Sequence, residues 1–325
     1  MEDIVNNIFS VSPATFNQQA LRIFRYQYAE NKIYHRWVNA LNINVNEITK
    51  LSQIPFLPVS FFRDHKVVAG SFEPEVVFTS SGTTGTIASK HLLKQLDLYK
   101  RSFTKGFRKF YDDPREWCII GLLPSYLERE GSSLILMVGD LIKLSGHSRS
   151  GFYLNEFEKL ADVLKKLEAQ KQKTLLIGVT FALLDFAEQF PMNLKNTVVM
   201  ETGGMKGRRK EIVREEVHSF LQKQLNLSSI HSEYGMTELL SQAYSFGNGM
   251  FTTVPWMKVL VRDEDDPLLI AEQGRGLINV IDLANVHSCS FIATDDAGRI
   301  FEDGSFEILG RRDNSDIRGC SLMVI

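Results

Sequence analysis

Cysteine is scarce. Cys118, Cys289 and Cys320 are the only three among 325 residues, too few and too scattered for a disulfide framework or a CxxC metal site, which points to a reducing, cytoplasmic setting. The seven histidines stand at no HxH or HxxxH spacing, so the common zinc centres are not expected. An excess of one charge is lacking too: 37 Lys and Arg against 39 Asp and Glu leave a net charge of −2. No global field therefore favours nucleic acid or an anionic membrane. The longest apolar runs, residues 119–124 and 134–138, fall far short of the ~18–20 residues of a membrane span. The opening MEDIVNNIFS has two acids and no basic segment ahead of an apolar one, unlike a secretory signal. Neither GxSxG nor GxxxxGK(S/T) occurs, so a hydrolase nucleophile elbow and a Walker A loop are both excluded.

What is present is material for a sizeable core: 44% hydrophobic and 23% charged residues, close to the globular average. At ~100–200 residues per domain, the length bounds about two folding units or one large α/β body. Ser12-Pro13 opens a helix as N-cap and first helical residue, and Phe16, Leu21, Phe24 and Tyr28 follow at helical spacing in an N-terminal helical region. Residues 76–79 read as a short β-branched strand, followed by a Gly/Ser/Thr loop and a helix from about residue 91 to 110. Residues 117–123 and 134–138 read as buried strands, and Asn155 with Glu158 resembles a capping box for a helix to about residue 169. Strands at 174–179 and 196–200 alternate with helices at 181–190 and 210–225, implying a mostly parallel sheet covered on both faces. Beyond residue 240, short alternating runs at 258–261, 268–271, 276–281, 290–294 and 305–309 predict an antiparallel β appendage. The expected division is an α/β core over residues 1–240 and a β-rich part over 241–325, packed as one body.

Four segments carry candidate chemistry. In residues 79–90, TSSGTTGTIASK, Ser80, Ser81, Thr83 and Thr84 supply hydroxyls and Gly82 and Gly85 allow close backbone approach. Lys90 adds a charge at the expected helix start, so the segment reads as a phosphate cradle. In EYGMTE, residues 233–238, Tyr234 can stack on a flat base, Thr237 can hydrogen-bond a phosphate and Glu238 can hold Mg²⁺. In TDDAGR, residues 294–299, a carboxylate can reach two ribose hydroxyls, and in residues 310–319 Arg311 can reach ribose or phosphate. Taken singly, each also fits an ordinary loop or turn.

Together and in this order, the four segments resemble the adenylate-forming superfamily of acyl-CoA synthetases, peptide-synthetase adenylation domains and luciferases. Residues 80–90 are similar to its phosphate loop, residues 234–238 to YGxTE, residues 294–299 to TGDxGR and residues 310–319 to its hinge. Gly203 and Gly204 stand where that family has a glycine pair against adenine. Within it the chain most resembles LuxE-type acyl-protein synthetases, on IPFLPVSFF at residues 54–62, LLPSYL at 122–127, GSSL at 131–134 and IRGCSL at 317–322.

The resemblance implies an α/β fold of the acetyl-CoA synthetase-like large domain. It also implies ATP with Mg²⁺, a carboxylic acid of fatty-acyl type as substrate, and an acyl-accepting protein partner such as a reductase or carrier protein. Gly203, Gly204 and Tyr234 would frame adenine, and Asp296 and Arg311 would hold ribose. The chain stops six residues after Gly319, where relatives continue into a lid that carries a catalytic Lys, so full CoA chemistry is not expected. Cys320 is the candidate acyl carrier, since a thiolate can attack an acyl-adenylate with AMP leaving. Cys118, between Trp117 and Ile119, is expected in the core. A CoA ligase borrowing a lid, a non-catalytic nucleotide binder and an acyltransferase from a carrier thioester fit the same residues.

Overall fold

The computed structural model describes residues 2–80, 88–124, 131–154, 156–203 and 213–311. Helix α1 (Glu2–Asn7) leads to α2 (Pro13–Glu30) and α3 (Lys32–Ala40). The Ser12 amide donates to Thr15 Oγ1 at 2.9 Å, and Phe16, Ala20, Ile23, Phe24 and Gln27 form the buried face of α2, which makes the N-terminal helical region as expected. Strand β1 (Leu57–Pro58) and the short α4 (Phe61–Asp64) follow.

Strands β2 (Val76–Thr79) and β3 (Lys90–Leu93) pair antiparallel, with Thr79 opposite Lys90. The expected strand–loop–helix is therefore a hairpin, and α5 begins only at Leu96 (Leu96–Tyr111). His91 and Leu93 are buried while Lys90 is exposed, so burial alternates with the period of a strand rather than a helix.

Strand β4 (Cys118–Leu122) enters the main sheet, and α6 (Ser133–Ser145) follows where residues 134–138 had suggested a strand. Ser132 Oγ accepts the Ile135 amide at 3.3 Å as N-cap, and Gly146 closes the helix at φ +63°. The apolar run is a helix whose residues 134–138 are all buried or half-buried, which periodicity cannot tell from a buried strand. Then come β5 (Gly151–Phe152), α7 (Phe157–Ala169), β6 (Thr174–Gly178), α8 (Thr180–Gln189), β7 (Thr197–Glu201), α9 (Arg214–Leu225) and β8 (His231–Tyr234). Strands β5, β4, β6, β7 and β8 run parallel in that spatial order. All of β4 and β6 is buried, as in sheets covered on both faces.

From β8 the sheet continues antiparallel. Its strands are β9 (Ala243–Ser245), β10 (Phe251–Thr253), β11 (Met257–Arg262), β12 (Ile270–Ala271), β13 (Gly274–Asp282), β14 (Phe291–Ile300) and β15 (Phe306–Arg311). The spatial order from β8 is β9-β10-β15-β14-β13-β11-β12, and β1 lies parallel to β14. Parallel and antiparallel parts thus share one mixed sheet. Residues 294–299, an Asp-rich turn by composition alone, lie inside β14, where the pairing register shifts between Ala297 and Gly298. Among the described residues no helix is long and apolar enough to cross a membrane.

Candidate active site

The site lies at the carboxyl ends of adjacent parallel strands, the usual crevice of an open α/β sheet. Strand β7 ends at Glu201 and β8 at Tyr234, with Glu201 opposite Ser232 in register.

Glu201 is buried. Its carboxylate accepts from Thr180 Oγ1 at 2.5 Å and from the Gly203 amide at 2.8 Å, with His218 Nε2 at 3.9 Å. Burial pushes this carboxyl up, but nearby His218, the hydrogen bond from Thr180 and the Arg214 charge outweigh it and hold it below the usual range. Gly203 is thereby fixed at φ +76°, and a Cβ there would meet no heavy atom of the described residues within 4 Å. The left-handed backbone suits glycine, and the open space lets a flat ring approach the loop.

The β2–β3 hairpin closes at its mouth through Ser80, whose amide donates to the Ser89 carbonyl at 3.1 Å and whose hydroxyl accepts the Ser89 amide at 2.9 Å. Ser89 Oγ in turn donates to the carboxylate of buried Glu238. Next along the strand, His91 Nδ1 donates to the Thr237 carbonyl at 2.9 Å. Burial pushes His91 down to about 4, so the ring is neutral and its Nδ1 carries the proton for this bond. The hairpin and the YGMTE segment, almost 150 residues apart in sequence, are bolted together by two side chains.

The same segment is held from behind by Asp282 at the end of β13. Its carboxylate accepts from the Leu240 amide at 2.7 Å, the Ser241 amide at 3.0 Å, Ser241 Oγ at 2.6 Å and the Ala284 amide at 3.1 Å. Complete burial still pushes it up to about 6. After Glu238 the backbone turns into β9, with the Leu240 and Ser241 amides taken by Asp282.

Tyr234 donates its hydroxyl to Asp296 Oδ2 at 2.8 Å, and its ring meets Phe251 and Phe306 edge-on at 5.9 and 5.5 Å. Asp296 stands opposite Arg311 in the β14–β15 register. Burial pushes both Asp296 and Glu238 up; Tyr234 relieves the first, Ser89 the second, and the Arg311 charge acts on both. Tyr234, Glu238, Asp296 and Arg311 therefore share one electrostatic environment.

Lys90 is exposed at the first position of β3, which corrects its expected place at a helix N-terminus: no helix dipole acts there. Ser81, Gly82, Thr83, Thr84, Gly85, Gly204 and Cys320 lie outside the described residues, as does Asn155. Cys118 and Cys289 are buried; burial raises both thiols, that of Cys289 to about 12, which makes them poor nucleophiles at neutral pH. Sequence reasoning missed Ser89, His91, Glu201 and Asp282, all of which hold site residues in place. Only Glu201 carried a local signal, an acid two residues ahead of the glycine pair; the others act through contacts between distant segments.

The donors suit a small hard cation. Glu238 offers a carboxylate that the Ser89 hydroxyl meets, and the Asp296 charge close by disfavours its ionisation further, a repulsion that a divalent cation would relieve. Among the described residues no three His, Cys, Asp or Glu side chains cluster as metal ligands.

The family model described as acyl-protein synthetase, LuxE, matches residues 11–325. No curated protein sequence matches the chain. Similar solved structures include ATP-bound MatB from Rhodopseudomonas palustris, at 20% identity and TM-score 0.54, covering 74% of this chain and 49% of that one. O-succinylbenzoate coenzyme A synthetase (MenE) from Bacillus subtilis, in complex with ATP and magnesium ion, is similar at 15% identity and TM-score 0.51, covering 75% and 51%. A luciferase-like enzyme from the mealworm Zophobas morio follows at 15% and 0.50, covering 75% and 59%. This chain spans about half the length of the first two, with which it shares the α/β fold of adenylate-forming enzymes. With that fold, and a family match running from residue 11 to residue 325, the chain belongs to the LuxE acyl-protein synthetase family.

Proposed function

We propose that the protein activates a carboxylic acid, of the fatty-acyl class, with ATP and passes the acyl group to a thiol. An oxygen of the substrate carboxylate attacks the α-phosphorus of ATP, the bond from that phosphorus to the bridging oxygen breaks, and pyrophosphate leaves acyl-AMP behind. A thiolate then attacks the acyl carbonyl, forming a thioester as AMP departs. The thiol is that of Cys320, which hands the group on to a partner protein.

Such displacements depend on positioning and charge neutralisation more than on covalent help from the protein. Ser80, Ser81, Gly82, Thr83, Thr84, Gly85 and Lys90 hold the terminal phosphates, and Thr237 orients the α-phosphate. Glu238 holds Mg²⁺, which would neutralise phosphate charge. Gly203, Gly204 and Tyr234 frame adenine; Asp296, aligned by Tyr234, takes the ribose hydroxyls with Arg311 beside it. The observation that carries this reading is the pair of cross-chain bonds, Ser89 to Glu238 and His91 to the Thr237 carbonyl, which sets the hairpin mouth against the acidic segment.

Incubation with ATP, Mg²⁺ and a panel of carboxylic acids, followed by intact mass, tests the transfer half. An acyl adduct labile to hydroxylamine is expected, and Cys320→Ala should abolish it. An adduct that persists in that variant would assign the acyl group to another residue.

A further inference from the structure

Behind the YGMTE segment lies a small recess of about 10 Å³ between β3, the start of α5 and the β13–β14 connection, lined among others by His91, Leu240, Asn285, His287 and Ser288. Asn285 Nδ2 donates to the Glu238 carbonyl at 2.7 Å, which fixes the orientation of the amide and leaves Oδ1 as an acceptor. That Oδ1 is buried without a hydrogen-bond partner among the described residues, and so is Nδ1 of His287. Asn285 is 1% and His287 7% exposed. Burial, with the Lys94 charge beside it, pushes His287 down to about 4, so the ring is neutral and can offer either a lone pair or a proton at Nδ1. Two unsatisfied buried polar atoms on one recess with room for a single water are the setting in which proteins hold an ordered internal water.

The backbone of this connection is held independently. Gln27 Nε2 donates to the Asn285 and Val286 carbonyls at 2.9 and 3.0 Å, and Asn31 Nδ2 to the Ser288 carbonyl at 3.0 Å. Residues 285–288 are therefore a fixed platform, and the side-chain amide of Asn285 is its direct hydrogen bond to the Glu238 backbone.

We propose that this recess is a water site, one molecule bridging Asn285 Oδ1 and His287 Nδ1, and that the bridged Asn285 is a positioning residue which holds Glu238 at the candidate active site. The functional half rests on Glu238 as the Mg²⁺ ligand; the water does not. A crystal structure of the full chain that orders solvent should show one density peak within hydrogen-bond reach of both atoms, and an empty recess would overturn the proposal. His287→Phe removes one end of the bridge and leaves the Asn285–Glu238 bond in place. Amide hydrogen exchange over residues 238–241 should then quicken about fivefold, the weight of one ordinary hydrogen bond, and His287→Gln, which keeps a polar end, should restore protection. Exchange unchanged in His287→Phe would overturn the positioning role. Faster exchange should be accompanied by a higher Mg²⁺ requirement for pyrophosphate release; faster exchange with an unaltered requirement would leave the platform standing and remove Glu238 from the metal site.

Discussion

Ser89→Ala is the most informative single substitution. The bonds that close the hairpin mouth use the Ser89 amide and carbonyl, so they survive, and only the hydroxyl that reaches Glu238 is lost. Glu238 is 6% exposed, and no bulk water replaces that donor. Burial already holds its carboxyl above the usual range, with the Ser89 bond as the largest opposing influence. A hydrogen bond to a charged group contributes about 1.5–3 kcal/mol, which at 1.36 kcal/mol per unit corresponds to about one to two pH units. Losing the bond disfavours the ionised form, so the pKa moves further up. Since Glu238 must be ionised to hold Mg²⁺, the acid limb of the pH–rate profile for pyrophosphate release should move alkaline by that amount. The rate should recover well above the limb, and Ser89→Thr should retain the wild-type profile. An acid limb in Ser89→Ala that superimposes on the wild type would refute the argument.

Two further substitutions probe other parts of the site. Gly203→Ala places a side chain at φ +76°, which costs roughly 1–2 kcal/mol in backbone strain, and it fills the open space over the loop; the KM for ATP should rise, and an unchanged KM would remove Gly203 from the adenine contact. Glu233 is pushed up to about 8 by burial and by the Glu201 charge. Its folded pKa exceeds the ordinary 4.5, so the wild type loses stability as pH rises across that window. Glu233→Gln should melt with the wild type near pH 4.5 and above it at pH 9, and parallel melting curves at both would contradict this environment.

The fold was legible where local chemistry and tertiary packing agree. Ser12-Pro13 marks the start of α2, and the apolar runs of β4 and β6 are those of strands buried on both faces. It was not legible where one pattern serves two structures. The run Leu134 to Val138 satisfies a buried strand as well as a helix, and only the Ser132 cap and Gly146 decide for α6. At residues 90–93 the alternation that marks a strand is too short to outweigh the helical residues that follow, and the pairing of Lys90 with Thr79 is settled by the partner strand. Tyr234, Glu238, Asp296 and Arg311 stand out as candidates in the sequence because their residue types announce their chemistry, and the fold brings them together. Ser89, His91, Asp282 and Asn285 could not, since a serine, a histidine or an amide gains its role only from the distant backbone or side chain that it meets.

The central claim is acid-dependent adenylation, and exchange of labelled pyrophosphate into ATP measures it without needing an acyl acceptor. The pure protein with ATP and Mg²⁺ should exchange label only when a suitable carboxylic acid is added, and Glu238→Ala should abolish the exchange. Absence of exchange across a panel of aliphatic and aromatic acids, in protein that is folded and binds ATP, would contradict the account.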